Sequence, residues 1–376
     1  MTKQQYQFTW RSDGKFALLI DGEQIFSAML KAIQSAQSHV LLEIYLVESG
    51  VVIDQFIDAL CKAASRIPVY VLFDDFGARK LKSQDRDRLR DSGVKLLFFN
   101  PVRYGRWLKN LRRDHRKLLS IDDQLAFVGG MGLSDIFDPE TSGSKSWHEA
   151  AVEIRGGCVA DWRRLFAKNW QRASGSPLSI PKSDSIAAGE QAGRVTVGYG
   201  AFRSEVQRSL VAHIHGADRR VWLATAYFIP SWKVRRALRH ATRRGIDVRL
   251  LLPGPDCDHP AVRQAGRRFY FRLLRSGVRI FEYQIRFSHQ KLFLCDDWVS
   301  IGSCNIDRWN LRWSLEANQE VKDLAFSDSV RSALENDFSL SREYLFEQWT
   351  QRPWYRRLRE WFWGRVDIWL ERRALR

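Results

Sequence analysis

The chain has 376 residues, 45% of them hydrophobic and 27% charged, room for two ordinary domains or one large one at globular composition, which excludes a disordered, collagen-like or disulfide-scaffold protein. Sixty lysines and arginines against 43 acids leave a net charge of +17, which predicts an anionic partner such as nucleic acid, a membrane surface or a phosphorylated substrate. The five cysteines (Cys61, Cys158, Cys257, Cys295 and Cys304) are scattered, with no CxxC pair or Cys/His spacing, so neither zinc nor a disulfide framework is expected and a reducing compartment is.

The N-terminal MTKQQYQFTWRSDGKFALLI lacks the basic-then-apolar layout of a signal peptide. No apolar run reaches the roughly 18 residues of a membrane span, so a membrane would be met from its side. FSAMLKAIQSAQ then has helical spacing and leads into the apolar run SHVLLEIYLV. FIDALCKAAS (helix), VYVLFDD (strand), RDRLRDSG (helix ending at Gly93) and VKLLFFN (strand) follow. Residues 172–194, RASGSPLSIPKSDSIAAGEQAGR, are small, polar and rich in Pro, Gly and Ser, and read as a linker.

Beyond the linker the same order returns as VQRSLVAHIHGA, RRVWLATAYFIP, VRRALRHATRRG, IDVRLLLPG, YFRLLRSG and VRIFEYQ. The division is therefore a first half over 1–171, the linker, a second half over 195–345 and a tail over 346–376. Helices alternating with short buried strands predict an α/β fold. The expected architecture is two βα repeats about a pseudo-twofold axis, each a mainly parallel mixed sheet flanked by helices.

Each half also delivers one matching motif. DHRKLLSIDDQLAFVGG carries His115, Lys117 and Asp122; SHQKLFLCDDWVSIGS carries His289, Lys291 and Asp296. Both spell H-x-K-x4-D, 174 residues apart, with Gly129-Gly130 or Gly302-Ser303 about fourteen residues after the histidine. In extended chain, residues i and i+2 face the same side, so each His and Lys share one surface. Neutral imidazole attacks phosphorus and its protonated form is an acid near neutral pH, while a lysine holds non-bridging phosphate oxygens. If the halves pack about a twofold axis, both pairs converge on one phosphate. One histidine then forms a phosphohistidine, and the other protonates the leaving alkoxide and deprotonates the next nucleophile. No metal or cofactor is called for. Asp122 and Asp296 lie five residues beyond their lysines, an odd number, so their place is either with the catalytic set or in supporting structure.

The doubled motif resembles the phospholipase D superfamily. NLRRDHRKLLSID, TAYFIP, LLRSGVRIFEYQ, GSCNID and SLEANQEV are similar to segments of bacterial cardiolipin synthases, of the B type above all, and the similarity runs from about Leu19 to Asp323. The resemblance implies the phospholipase D fold, His115 as nucleophile and His289 as general acid and base. It implies that Glu149 and Glu316 orient the histidines and that Ser303 and Asn305 contact phosphate. At the equivalent place in the first motif the family usually has Gly-Gly-x-Asn. This chain has Gly129-Gly130-Met131-Gly132, which leaves Gly130 at the phosphate without a side-chain contact. His148, beside Glu149, either lines the site or lies at the surface. Asp74-Asp75 and Asp256/Asp258 with His259 fall at predicted strand ends, where such sheets carry ligand loops.

In the tail, WYRRLREWFWGRVDIWLERRALR (354–376), Trp354, Leu358, Trp361, Phe362, Val366 and Trp369 form a broad helical stripe among seven arginines and three acids. Such a C-terminal amphipathic helix suits the headgroup layer of an anionic bilayer, or docks on the body by the same stripe. The leading functional expectation is phosphatidyl transfer to the hydroxyl of phosphatidylglycerol, giving cardiolipin. The donor is phosphatidylglycerol or phosphatidylethanolamine, and the place is the membrane periphery, on the cytoplasmic side. The alternatives are a nuclease or other phosphodiesterase with the same chemistry, and an inactive basic adaptor.

Overall fold

A computed structural model describes residues 6–105, 110–180, 186–198, 204–307, 313–354, 362, 363 and 365. Where the sequence has apolar, β-branched runs the chain forms strands buried on both faces, as helix-covered sheets require. The first half holds β1 (Arg11–Ile20), β2 (Val40–Ile44), β3 (Val69–Asp74), β4 (Lys95–Phe99), β5 (Arg113–Asp114), β6 (Leu118–Ile121), β7 (Leu125–Gly129) and β8 (Ala150–Arg155). The second holds β9 (Gln191–Gly198), β10 (Arg220–Thr225), β11 (Phe228–Ile229), β12 (Asp247–Pro253), β13 (Arg279–Tyr283), β14 (Lys291–Cys295), β15 (Trp298–Gly302), β16 (Ile306–Asp307), β17 (Ser314–Lys322) and β18 (Ser341–Tyr344).

The strand order in the first half is β4-β3-β2-β6-β7-β8-β1, and the second repeats it as β13-β12-β10-β14-β15-β17-β9. An antiparallel β1–β9 pairing joins the halves edge to edge into one sheet, with Arg11 opposite Gly193 and Gly14 opposite Gln191. The expected mixed α/β repeat is present, but the sheet is less parallel than the helix–strand alternation predicts. Besides the two-residue pairs β5–β17 and β11–β16, parallel pairing is found in β2-β3-β4 and β10-β12-β13, while the strands from β6 to β8 and from β14 to β17 run antiparallel. The reason is local. Asp122-Asp123 and Asp296, all at positive φ, close tight hairpins where a parallel pair would need a helical crossover.

Helices α1 (Asp21–Ser35), α2 (Val51–Ala64) and α3 (Ser83–Asp91) cover one face of the first half. Helix α2 shows why: Val52, Ile53, Phe56, Ile57, Leu60 and Ala63 recur at helical spacing, and all are buried. Helix α3 ends as expected at Gly93, which takes φ +88 while its N–H donates to the Arg90 carbonyl. A short α4 (Pro139–Ser142) precedes the long α5 (Cys158–Ser174). In the second half α6 (Glu205–Gly216), α7 (Trp232–Arg243), α8 (Pro260–Arg267) and α9 (Tyr270–Leu274) cover the corresponding face. The opposite face of the joined sheet carries α5 and α10 (Leu324–Ser339), whose Trp162, Phe166, Phe326 and Val330 share one core with strands of both halves.

The stretch read as a linker is held at several points. Ile180 accepts a 2.9 Å bond from Arg163, Ala188 donates to the Asp13 carbonyl at 3.0 Å, and β9 begins inside it at Gln191. After α10 come β18 and a short α11 (Phe346–Thr350). Most of the amphipathic stripe expected over 354–376 lies outside the described residues; of those described, Trp354 and Phe362 are exposed and Trp363 packs against the second-half core.

Candidate active site

Both motifs sit where a segment of one half reaches across to the other. The chain at Arg113–Asp114 pairs in parallel with Ser314–Leu315 of β17, and the His115 N–H donates to the Leu315 carbonyl at 3.0 Å. Symmetrically, Ser288 bridges to His148 just before β8, and the His289 N–H donates to the His148 carbonyl at 2.8 Å. These contacts place each histidine beside the glutamate that follows in the opposing strand. Glu149 Oε2 accepts from His289 Nδ1 at 2.6 Å, and Glu316 Oε1 stands 2.9 Å from His115 Nδ1, at a poorer angle than a straight hydrogen bond. The two pairs are thus crossed between the halves.

The lysines curl back as the i, i+2 spacing requires. Lys117 Nζ donates to the His115 carbonyl at 2.6 Å; Lys291 Nζ donates to the His289 carbonyl and lies 2.8 Å from that residue's Nδ1. Lys291 is also 3.5 Å from Glu149. A cavity of about 600 Å³ opens over this arrangement, lined by His115, Lys117, Gly130 and His289 among others. Glu149, Glu316 and Lys291 are buried behind the histidines.

Four basic side chains in so little water make the site electropositive. Burial, helped by its cationic neighbours, pushes His289 well below the ordinary imidazole value, and burial lowers His115 less far because the Glu316 charge opposes it. Lys117 is pulled down to about 7 by burial, and Lys291 is lowered for the same reason. Burial raises Glu149 against the pull of Lys291. An anion placed among these groups would reverse the trend by restoring the charged forms.

The remaining sequence-selected residues divide. Asp122 and Asp296, which the motif left between the catalytic set and supporting structure, do not line the cavity and serve as backbone acceptors. Asp122 accepts the backbone N–H groups of Gln37, Ser38 and His39 at 2.7–2.9 Å, and Asp296 those of Asp218, Arg219 and Arg220 at 2.7–3.1 Å. Each ties the turn after the motif strand to the loop before its neighbour, β2 or β10. The odd spacing beyond the lysine has its reason here: the aspartate starts the hairpin.

Ser303 and Asn305 stand behind the cavity wall. Ser303 Oγ donates to Glu316, while Asn305 Oδ1 accepts from the Tyr227 N–H at 3.3 Å and its buried Nδ2 has no hydrogen-bond partner among the described residues. At Gly130, the counterpart of Ser303, a Cβ would come within 2.4 Å of Glu149, so glycine there makes room for the carboxylate. His148 does not line the cavity. Its ring bridges Asp21 at 2.8 Å and Asp337 at 3.0 Å, tying α1's first residue to α10, and those acids raise it to about 9 against the effect of burial.

Several wall residues had gone unassigned. Tyr45 packs on His115 with ring centroids 4.8 Å apart, and Tyr227 meets His289 edge-on at 6.3 Å. Tyr45 follows β2 and Tyr227 follows β10 one place further on, so the repeat carried that signal only loosely. Trp147 and Phe137 pack on His289, and Asp258 and His259, noted at a strand end, do face the cavity. Asp74 is buried and serves Arg113 and the Asp114 N–H. Among the described residues, no group of three or more His, Cys, Asp or Glu side chains could hold a metal ion.

Two half-sheets in pseudo-twofold register, bringing both motif histidines to one cavity with their lysines beside them, define the phospholipase D class of phosphodiester enzymes. Residues 210–338 match the family described as "Cardiolipin synthase, PLD-like domain". Cardiolipin synthase A of Pseudomonas entomophila is 35% identical over 350 residues, covering 89% of this chain and 71% of that protein; the Pseudomonas aeruginosa enzyme is 33% identical over 340, covering 89% and 69%. These carry the A designation, where the flanking text suggested the B type. Among solved structures, phosphatidylserine synthase of Haemophilus influenzae superposes with a TM-score of 0.66 at 12% identity over 88% of this chain and 87% of that one. The polyphosphate kinase of Porphyromonas gingivalis gives 0.55 at 17% identity over 85% and 50%. The chain belongs to the cardiolipin synthase family.

Proposed function

We propose that the chain makes cardiolipin by phosphatidyl transfer between phospholipids, with His115 as nucleophile. Its Nε2 attacks the donor phosphorus, the bond from phosphorus to the headgroup oxygen breaks, and His289 gives that oxygen a proton. The phosphohistidine is then attacked by a hydroxyl of phosphatidylglycerol, whose proton goes to His289, and the P–N bond breaks. Lys117 and Lys291 hold the non-bridging oxygens as charge builds on them. Glu316 and Glu149 fix the Nδ1 side of each ring and leave Nε2 for the chemistry. The donor is phosphatidylglycerol or phosphatidylethanolamine, taken from the cytoplasmic side of a membrane.

The observation that supports this reading best is the convergence of both motif histidines and Lys117 on one cavity, each imidazole backed by a glutamate of the other half and Lys291 buried against His289. Burial among cations lowers His289 further than His115, and the negative charge of a phosphodiester beside the lysines favours the protonated His289 that the general acid needs. The test is purified protein in anionic mixed micelles with labelled phosphatidylglycerol and the lipid products resolved. Cardiolipin and glycerol are expected. Phosphatidic acid alone would make the protein a hydrolase, and cleavage of nucleic acid with no lipid product would move the substrate class.

A further inference from the structure

If the substrates are bilayer lipids, as proposed above, the cavity mouth must meet a membrane, and none of the described helices is long and apolar enough to cross one. The walls of that mouth are unusual on the first-half side. Two loops follow the carboxyl ends of adjacent parallel strands there, residues 75–82 after β3 and 101–113 after β4, the latter described over 101–105 and 110–113. Phe76, Val102 and Leu111 are 42%, 51% and 48% exposed, and Tyr104 is fully so. A soluble surface scatters single apolar side chains, but here four fall on two neighbouring loops.

The loops are also one piece with the site. The Val102 N–H donates to Asp75 at 3.0 Å, joining one loop to the other. Asn110 closes the second loop on Arg103 through paired bonds of 3.2 and 2.8 Å. Leu111 and Arg113 line the cavity, the Arg113 guanidinium lies 5.9 Å from the Phe76 ring, and Arg79 covers that ring at 3.9 Å. In sequence the two loops hold eight basic residues and one acid. That acid, Asp75, is the acceptor of the Val102 N–H just described.

We propose that residues 75–82, 101–105 and 110–113 are the membrane-docking surface, seating the cavity mouth on an anionic phospholipid bilayer. Aromatic and aliphatic side chains among arginines suit the headgroup layer: the apolar groups enter the acyl boundary while the guanidiniums stay with phosphates. Position selects the bilayer over other anionic partners. A surface for nucleic acid needs cations along a groove with bases stacked, whereas this rim exposes aliphatic Val102 and Leu111, the latter lining a cavity of about 600 Å³. Docking here also shortens the path a lipid phosphate travels to His115.

The test compares full-length protein with Val102→Ser/Tyr104→Ser, two exposed positions that do not line the cavity. On vesicles of phosphatidylglycerol and phosphatidylethanolamine the double variant should partition about tenfold less or weaker still, while hydrolysis of a short-chain soluble phosphodiester is unchanged. Tyr104→Trp should bind at least as well as the parent. Arg79→Glu/Arg103→Glu should bind weakly and lose most of the salt dependence. Full vesicle binding by Val102→Ser/Tyr104→Ser overturns the proposal and leaves docking elsewhere, as on the tail. Unchanged vesicle binding with lost affinity for single-stranded DNA overturns it in favour of nucleic acid. Failure of the parent itself to bind vesicles would strike the membrane-lipid reading first.

Discussion

Glu149 belongs to the first half of the chain and holds Nδ1 of His289, 140 positions away in the second, at 2.6 Å. The reverse pair, Glu316 with His115, makes the exchange mutual. Neither half therefore contains a complete catalytic unit. The cause is the pair of short bridges, Arg113–Asp114 on β17 and Ser288 on His148, that thread each motif onto the opposite half.

Crossing predicts that glutamate variants betray the other half's histidine. Glu149→Gln removes the charge that favours His289 imidazolium, so turnover of lipid should fall by roughly 10²–10⁴. An activated donor with a p-nitrophenolate leaving group needs no protonation, and its burst should survive in Glu149→Gln but not in Glu316→Gln. Stopped-flow absorbance reads both. Equal bursts would sink the assignment of His115 as nucleophile.

His115→Ala should abolish the acid-labile phosphoenzyme, while His289→Ala should still accumulate it from the activated donor. Labelling with a ³²P-phosphodiester and acid quench decides this. Full labelling of His115→Ala would reverse the roles.

Lys117 carries a stability cost with a defined pH window. Its folded value near 7 lies below the unfolded value of about 10.4, so the unfolded chain binds the extra proton between them. The penalty is complete below about 7 and fades as pH rises toward 10. Lys117→Met should therefore melt higher than the parent at pH 6, with the gap narrowing by pH 9, and should be inactive. Inorganic phosphate should bind the parent with proton uptake near pH 7–8, seen by calorimetry in buffers of different ionisation enthalpy. Proton release would contradict the electrostatic account.

His148 titrates the other way. Raised to about 9 by Asp21 and Asp337, it adds stability that is complete below its unfolded value near 6.5 and lost as pH rises through about 9. His148→Gln should be most destabilised at pH 6 and approach the parent at pH 9.5 in urea unfolding. A pH-independent difference would mean the ring serves packing on Tyr283 alone, from which it is 5.1 Å distant in a stacked pair.

Asp122→Ala and Asp296→Ala should behave as fold variants. Each leaves three backbone N–H groups without their acceptor, a loss of about 2–4 kcal/mol. kcat/KM at low temperature should stay near the parent value while the urea midpoint drops. A large fall in kcat/KM with full stability would return the aspartates to the chemistry.

The histidines and lysines were legible because the chain states them twice at matching places, and strands such as VLLEI and VYVLFD because burial on both faces leaves a continuous apolar run. Tyr45 and Tyr227, one place out of step, were only loosely readable by the same doubling. Other features are long-range and leave no local trace. Which glutamate meets which histidine depends on the register between β5 and β17, and the union of the halves depends on β1, whose RSDGKFALLI mixes polar and apolar residues. The sheet's parallel content was overstated because alternating helices suggested crossovers throughout, while the Asp-led hairpins that replace them occupy two or three residues each.

The seam between β1 and β9 bears on how the reaction stays dry. Enzymes that clamp a substrate swing one domain over another, and here such a swing would tear backbone pairing that runs from one half into the other. With the two walls joined by this seam, closing one half over the other is not how the site sheds water. If the reaction runs through a phosphohistidine, as proposed, the surface on which the mouth is seated takes a share in keeping water from it. Fidelity to lipid over water becomes a property of the seated enzyme, measurable as a transfer-to-hydrolysis ratio that falls when the same protein is lifted from bilayer into dilute detergent.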